Sequence, residues 1–207
     1  MTHPHQPGLA HLSAQDPVMA RLILDIGPCV MAFHTDRFGA LVRAICSQQV
    51  STAAARTIEA RARALVTDFT PQAYAALPTE MLRTAGLSGQ KAKYLLALAQ
   101  HIADGRLDLH ALDHMTDAEV ATALTAVPGI GQWTADMFLM FTLARPDVLP
   151  LGDLALRAAM SHHYGLEKAD FPKKALALAE KWRPWRSVAS WYLYRDLDKR
   201  RGKQAVV

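Results

Sequence analysis

Apolar residues recur along the chain at three- and four-residue intervals, in short runs that open at a capping residue and stop at a glycine or proline. Asp16 caps and Pro17 opens the first such run, which continues to Ile26 and ends at Gly27-Pro28. The sixteen residues up to that cap read as disordered. A second helix starts after Asp36, carries Phe38, Leu41, Val42 and Ile45 on one face, and ends between Cys46 and Gln49. Ser51 caps an Ala- and Arg-rich helix running to about Val66, and Thr70-Pro71 opens a short one. Ser88 opens a longer helix with Tyr94, Leu95, Leu98 and Ile102 apolar, closed by Gly105. After an irregular link over 107–114, Thr116 and Glu119 form a capping box whose short helix runs into Val127-Pro128-Gly129-Ile130-Gly131. The next helix spans 132 to about 143 and stops at Pro146, and three more cover 153–164, 172–182 and 185–197. The pattern predicts an all-α chain of about ten short helices, with no repeat of fixed period.

Composition agrees with one domain: 207 residues, 51% of them hydrophobic, fill one substantial core, and β-branched or aromatic runs are scarce. No apolar run approaches the length of a membrane span, and the N-terminus lacks a basic start followed by an apolar block, so a cytoplasmic protein with no membrane partner is expected. Cys29 and Cys46 are too few for a disulfide framework, and a reducing compartment fits. The net charge of +4 is uneven: from Phe171 onward, ten Lys or Arg face Glu180, Asp196 and Asp198, a local +7 that leaves −3 for the rest. A basic end points to nucleic acid or another polyanion, or equally to a solvated, frayed end over 198–203.

The most informative stretch is Leu124 to Ala135, where Pro128, Gly129 and Gly131 separate two short helices. Gly129 and Gly131 can adopt positive φ and let another backbone come close. The helix beginning at Gln132 then points free N–H groups and the positive end of its dipole outward, a ready phosphate site. A lone Pro-Gly would mark only an ordinary turn between helices.

With its order of apolar, Pro, Gly, Ile, Gly and then Thr-Ala, this stretch resembles the hairpin of the helix-hairpin-helix (HhH-GPD) superfamily of DNA glycosylases. Three further segments extend the resemblance over about residues 38–194, towards the alkylpurine branch. Arg43-Ala44-Ile45-Cys46-Ser47-Gln48-Gln49-Val50-Ser51 is similar to the family's glutamine-bearing segment on the DNA face. Residues 86–95 are similar to a recurring helix start, and Trp185-Arg186-Ser187-Val188-Ala189 to the start of the last helix.

The resemblance implies two α-helical lobes with a DNA-binding cleft between them, lobe 1 over about 38–141 and lobe 2 over about 16–37 plus 142–207. An extra N-terminal β-rich domain, found in a larger bacterial relative, is not expected within these 207 residues. It further implies an enzyme of base excision repair that flips out an alkylated base of the 3-methyladenine type and hydrolyses its N-glycosidic bond. The implied partner is duplex DNA containing such bases, met by a monomer.

Site residues follow position by position. The family's essential Asp falls on Asp153, within Leu149-Pro150-Leu151-Gly152-Asp153-Leu154 and 22 residues after Gly131. The same residue is a natural helix cap, and the two roles are compatible. Bifunctional members carry an imine-forming Lys two residues after the last hairpin glycine, whereas this chain has Trp133, which can stack on an extruded base. Trp191 and Tyr194 are further candidates to line the base site, and Met137 replaces the family's next pocket aromatic. No second carboxylate occupies a motif position.

Gln48 and Gln49 stand where the family inserts a side chain into the duplex. Phosphate contacts are expected from Gly129, Ile130, Gly131, Gln132 and Thr134, with Lys91, Lys93 and the basic last helices added. The main-chain carbonyls of Thr125, Val127 and Ile130 are implied to hold a structural Na⁺ or K⁺. No other cofactor is expected, because two Cys cannot ligate an iron–sulfur cluster and the nine His form no metal site. A bifunctional oxidised-purine glycosylase/lyase and a non-enzymatic DNA-binding module are the alternatives.

Overall fold

The computed structural model describes residues 5–202, and every regular element among them is helical. These residues divide into two compact units, one running up to Phe33 and resuming at Leu139, the other covering His34–Phe138. The first holds α1 (Gln6–Gln15), α2 (Pro17–Ile26), α10 (Leu154–Tyr164), α11 (Phe171–Ala179), a 3-10 turn at Glu180–Trp182 and α12 (Arg186–Arg200). The second holds α3 (Arg37–Ser47), α4 (Thr52–Arg63), α5 (Pro71–Ala75), α6 (Thr79–Thr84), α7 (Gly89–Ala103), a 3-10 turn at Ala111–His114 and α8 (Asp117–Thr125). Most of α9 (Gln132–Phe141) belongs to it as well.

Side-chain caps set most of the helix starts. Asp36 accepts from the Gly39 N–H, Ser51 from Ala54, Thr70 from Ala73 and Ser88 from Lys91, each filling an orphan donor of the first turn. Thr116 and Glu119 close a reciprocal capping box at α8. In this unit α7 packs against α3, α5 and α6, burying Leu41, Ile45, Leu82, Leu95 and Leu98. The phenol of Tyr74 is buried in the same core and donates to the Ala62 carbonyl at 2.5 Å, and burial pushes its pKa up to about 12.

Several expectations need correction. Residues 6–15 are helical rather than disordered: α1 is held by tertiary contact, with Leu12 fully buried and His11 Nε2 within 3.2 Å of the Lys181 carbonyl. Gly8 lies so close to Trp185 that an added Cβ would come within 2.7 Å of the indole. The helix α6 was not expected, because Pro78 precedes it without a side-chain cap and it buries only Leu82. The Ala- and Arg-rich helix ends at Arg63, short of Val66, and the link over 107–114 contains a 3-10 turn. The last helix runs on to Arg200, so part of the frayed end is ordered, while Lys203 lies outside the described residues. Twelve α-helices, rather than ten, occur among the described residues.

The core of the first unit surrounds one buried carboxylate. Oδ1 of Asp16 accepts from the N–H groups of Val18 (2.9 Å) and Met19 (3.4 Å), capping α2. Its Oδ2 accepts from Trp182 Nε1 (2.8 Å), Tyr164 OH (2.9 Å) and Lys181 Nζ (3.1 Å). Burial by itself would raise the Asp16 pKa, but hydrogen bonds from Trp182, Tyr164, Lys181 and the Val18 N–H outweigh it and hold the carboxyl below its ordinary value. Around it pack Leu12, Met19, Leu22, Met160, Phe171, Trp182, Tyr192 and Leu193, and Tyr192 OH donates to the Gly27 carbonyl at 2.8 Å.

Asp16→Ala is expected to destabilise the fold by about 3–5 kcal/mol at neutral pH, because four donors and a lysine lose their shared acceptor. A carboxyl with a lowered folded-state pKa stabilises above its unfolded value and loses that contribution as pH falls through the folded one. Urea unfolding of variant and wild type should therefore converge in acid. A loss below about 1 kcal/mol at neutral pH would show that Asp16 does not organise this unit.

Candidate functional site

The turn between α8 and α9 is anchored from below. Val127 N–H donates to the Leu124 carbonyl at 3.1 Å and Ile130 N–H to the Val127 carbonyl at 3.1 Å, while the side chains of Val127 and Ile130 are buried. Gly129 takes φ +90° and lies against Tyr94 of α7, where an added Cβ would fall 2.2 Å from the ring. Only glycine fits both conditions.

Gly131 does not use that freedom, since it is not among the positive-φ glycines and an added Cβ would meet nothing within 4 Å. Its role is different. The Gly131 carbonyl accepts the first bond of α9, from Ala135 N–H at 3.1 Å, so Gly131 caps the helix without a side chain to cover its first N–H groups. The N–H groups of Gln132, Trp133 and Thr134 stand at the positive end of the helix.

On α9 itself, Trp133 is 43% exposed, whereas Thr134 is buried. Gln132 Nε2 donates to Asp136 Oδ1 at 2.8 Å. Asp136 is the residue that sequence reasoning missed: a buried carboxylate on the hairpin's own helix, with its pKa raised by burial against the opposing Gln132 hydrogen bond. A Gln and an Asp four residues apart inside an apolar helix were the available signal.

The expected insertion segment is the turn between α3 and α4, and its two glutamines divide. Gln48 Nε2 donates to the Gly129 carbonyl at 2.9 Å, an internal bond. Gln49 is exposed with φ +55°, a left-handed conformation that non-glycine residues adopt at a cost, and Val50 beside it is exposed too. Lys91 Nζ donates to the Cys46 carbonyl at 2.9 Å, so its ammonium fastens the end of α3, while Lys93 is exposed. The Cys46 thiol is buried and pushed up to about 11, chiefly by that burial.

Asp153 belongs to the first unit. It caps α10, accepting from Leu156 N–H at 2.7 Å, its own N–H donates to the Pro150 carbonyl at 2.9 Å, and the next residue, Leu154, is 79% exposed. The cap geometry fixes the carboxylate at a helix N-terminus. In the same unit Trp191 is buried edge-on to Tyr192 with the Arg195 guanidinium 5.6 Å from its ring, and Tyr194 is partly buried against the same core.

The basic C-terminal segment is less cationic than its composition suggests. Lys181 pairs with Asp16, Lys174 with Asp170, and Arg183 and Arg186 with Asp147, all acids contributed by earlier residues. Arg200 pairs with Asp196, which also holds His163 Nε2 at 2.7 Å. Among the described residues no group of three His, Cys, Asp or Glu is placed to hold a metal ion, and no helix is long and apolar enough to cross a membrane.

Residues 42–184 match the HhH-GPD superfamily of base excision DNA repair proteins. DNA-3-methyladenine glycosylase 1 of Schizosaccharomyces pombe is 30% identical over 192 residues, covering 89% of this chain and 84% of that protein. YfjP of Bacillus subtilis is 37% identical over 128 residues, and the match spans only 45% of its length. Among solved structures, Schizosaccharomyces pombe 3-methyladenine DNA glycosylase (Mag1) in complex with abasic DNA superposes with a TM-score of 0.81 at 29% identity, over 93% of this chain and 97% of that one.

Because the raised Asp136 pKa marks a charge that burial disfavours, Asp136→Asn, which keeps the Gln132 bond, is expected to be more stable than wild type at neutral pH. A gain of about 1 kcal/mol would raise the melting temperature by roughly 2–4 °C. The sign is fixed by linkage: the penalty on the folded state begins as pH rises past the ordinary Asp value, so the advantage should vanish in acid. Calorimetry across pH checks this, and a neutral-pH melting temperature at or below wild type would show that Asp136 is adequately solvated.

Proposed function

The chain belongs to the HhH-GPD superfamily of base excision DNA repair proteins, and from that premise we propose that it is a monofunctional DNA glycosylase releasing alkylated purines of the 3-methyladenine type. The observation that carries this reading is Trp133, an exposed indole in the first turn of the hairpin helix, where a lyase would carry its amine. An indole forms no imine. It offers instead a broad π face on which an electron-poor, extruded base can stack.

In this reading the backbone N–H groups at the start of α9, of Gln132, Trp133 and Thr134, receive a backbone phosphate, with Gly131 adding no side chain in the approach. The Thr125 carbonyl ends α8 and those of Val127 and Ile130 lie in the turn after it, and neutral oxygens near the negative end of a helix suit a monovalent cation. Such an ion would supply charge towards the phosphate; the chemistry rests on the protein's own groups.

Asp153 supplies the fixed anion. As the bond from C1′ to the base nitrogen breaks, its electron pair leaves with the base, which neutralises the positive charge that alkylation had placed there. Positive charge grows on the deoxyribose instead, and a carboxylate already oriented by the Leu156 N–H stabilises it without reorganising. Water then adds to C1′ and gives up a proton, with Asp153 as the acceptor at hand, to leave an abasic site. An alkylated purine is a good leaving group, so no strong acid is needed.

Asp153→Asn should bind lesion duplex nearly as wild type does and lower single-turnover base release by roughly 10²–10³. Excision at the wild-type rate would remove Asp153 from the mechanism. A panel of duplexes carrying 3-methyladenine, 7-methylguanine, 1-methyladenine and deaminated bases tests the substrate class, and release of deaminated bases alone would overturn it.

Borohydride should trap no enzyme–DNA adduct, with strand breaks appearing only after alkali or heat. A robust wild-type adduct would instead establish the oxidised-purine glycosylase/lyase alternative.

A further inference from the structure

Two turns far apart in sequence meet in the second unit, and one helix holds both. Gly129 of the hairpin rests on the ring of Tyr94, and the Cys46 carbonyl before the α3–α4 turn receives the Lys91 ammonium at 2.9 Å. Tyr94 and Lys91 lie three residues apart on α7, hence on neighbouring turns of one face. The two turns are also joined directly, because Gln48 Nε2 donates to the Gly129 carbonyl at 2.9 Å across 81 residues of sequence. Only the tip beyond these anchors projects, as Gln49 at φ +55° and Val50, 40% exposed.

We infer that Gln48 and Lys91 are positioning residues that lock the Gln49–Val50 tip to the hairpin, so that the phosphate grip sets how far the tip enters the duplex. The physical reason is rigidity at both ends. A hairpin bound to phosphate is registered against the DNA backbone, and any play between it and the tip would be lost from the depth of insertion. A glutamine amide can span the gap and a lysine can hold an orphan helix carbonyl, whereas neither group, so occupied, is placed to read bases. Gln49's left-handed backbone lies between the anchored Gln48 and the Ser51 cap of α4. The inference rests on the glycosylase reading and adds to it a residue-level account of base extrusion.

The test separates extrusion from binding and from chemistry. Gln48→Leu, which fills the space without donating, should lower single-turnover release of 7-methylguanine from a fully paired duplex by about tenfold, the size of one hydrogen bond. Affinity for undamaged duplex should change less than about twofold, since the hairpin N–H groups are untouched. On a duplex with an abasic site opposite the lesion, where extrusion breaks no base pair, the loss should shrink to about twofold or less.

Lys91→Met should behave alike and Lys91→Arg should restore most of the rate. Fluorescence of 2-aminopurine beside the lesion reports base unstacking on binding without bond cleavage. A weaker signal at saturating Gln48→Leu supports the lock.

Equal losses on paired and gapped lesions, or a 2-aminopurine signal equal to wild type, would overturn it. If wild type releases no base from any duplex, the glycosylase reading falls, and the fluorescence comparison still decides the lock by itself.

Discussion

The absence of a side chain at Gly129 is the constraint on which the hairpin depends. With φ at +90° and Tyr94 occupying the space a Cβ would need, the backbone sinks onto α7, and its carbonyl is turned to where Gln48 can reach it. Val127 and Ile130 fix the same turn through the core. The outward side is Gly131, which needs no special φ and whose missing Cβ would meet nothing within 4 Å. Two glycines two residues apart thus do unlike work: one lets the turn be packed from beneath, the other adds no bulk above.

The first unit solves its own problem with a charge. Asp16 brings the start of α2, the end of α10 and the turn before α12 to one point, and a buried carboxylate is tolerated there because donors surround it. Asp153 relies on the same helix-cap chemistry, but at a position where the following residue is open to solvent. One residue type at one kind of backbone position serves as core bracket in the first case and, in the proposed mechanism, as the anion beside the deoxyribose in the second. Surroundings, not the cap, make the difference.

Most of the helices were legible in the sequence because their caps act locally: Asp16, Asp36, Ser51, Thr70, Ser88 and Thr116 each bond within three residues of themselves. The hairpin was legible for a similar reason, its glycines, proline and flanking apolar positions lying in one short stretch. What stayed hidden depends on contact across the chain. The helix at 6–15 exists because Gly8 meets Trp185, which no local pattern announces. The internal bonds of Gln48 and Lys91 could not be read locally either, because their partners, Gly129 and Cys46, come from distant segments. Asp136 was passed over because the matching motif carries no role at that position, and its burial is a tertiary fact.

The charge distribution taught a related lesson about affinity. Ten basic residues in the last 37 suggested a cationic surface, yet Asp16, Asp147 and Asp170 pair with four of them, so folding neutralises much of what composition displays. A protein of net charge +4 then gains only modest attraction from bulk electrostatics, which salt screens readily. In the proposed reading, directional groups supply more of the hold: oriented N–H donors at a helix start, and a tip that enters the duplex. Those contacts form fully only in register with the DNA backbone and, for the tip, only where a base yields its place. Weak general attraction with strong local fit suits an enzyme that must leave ordinary DNA quickly and stay where a base gives way.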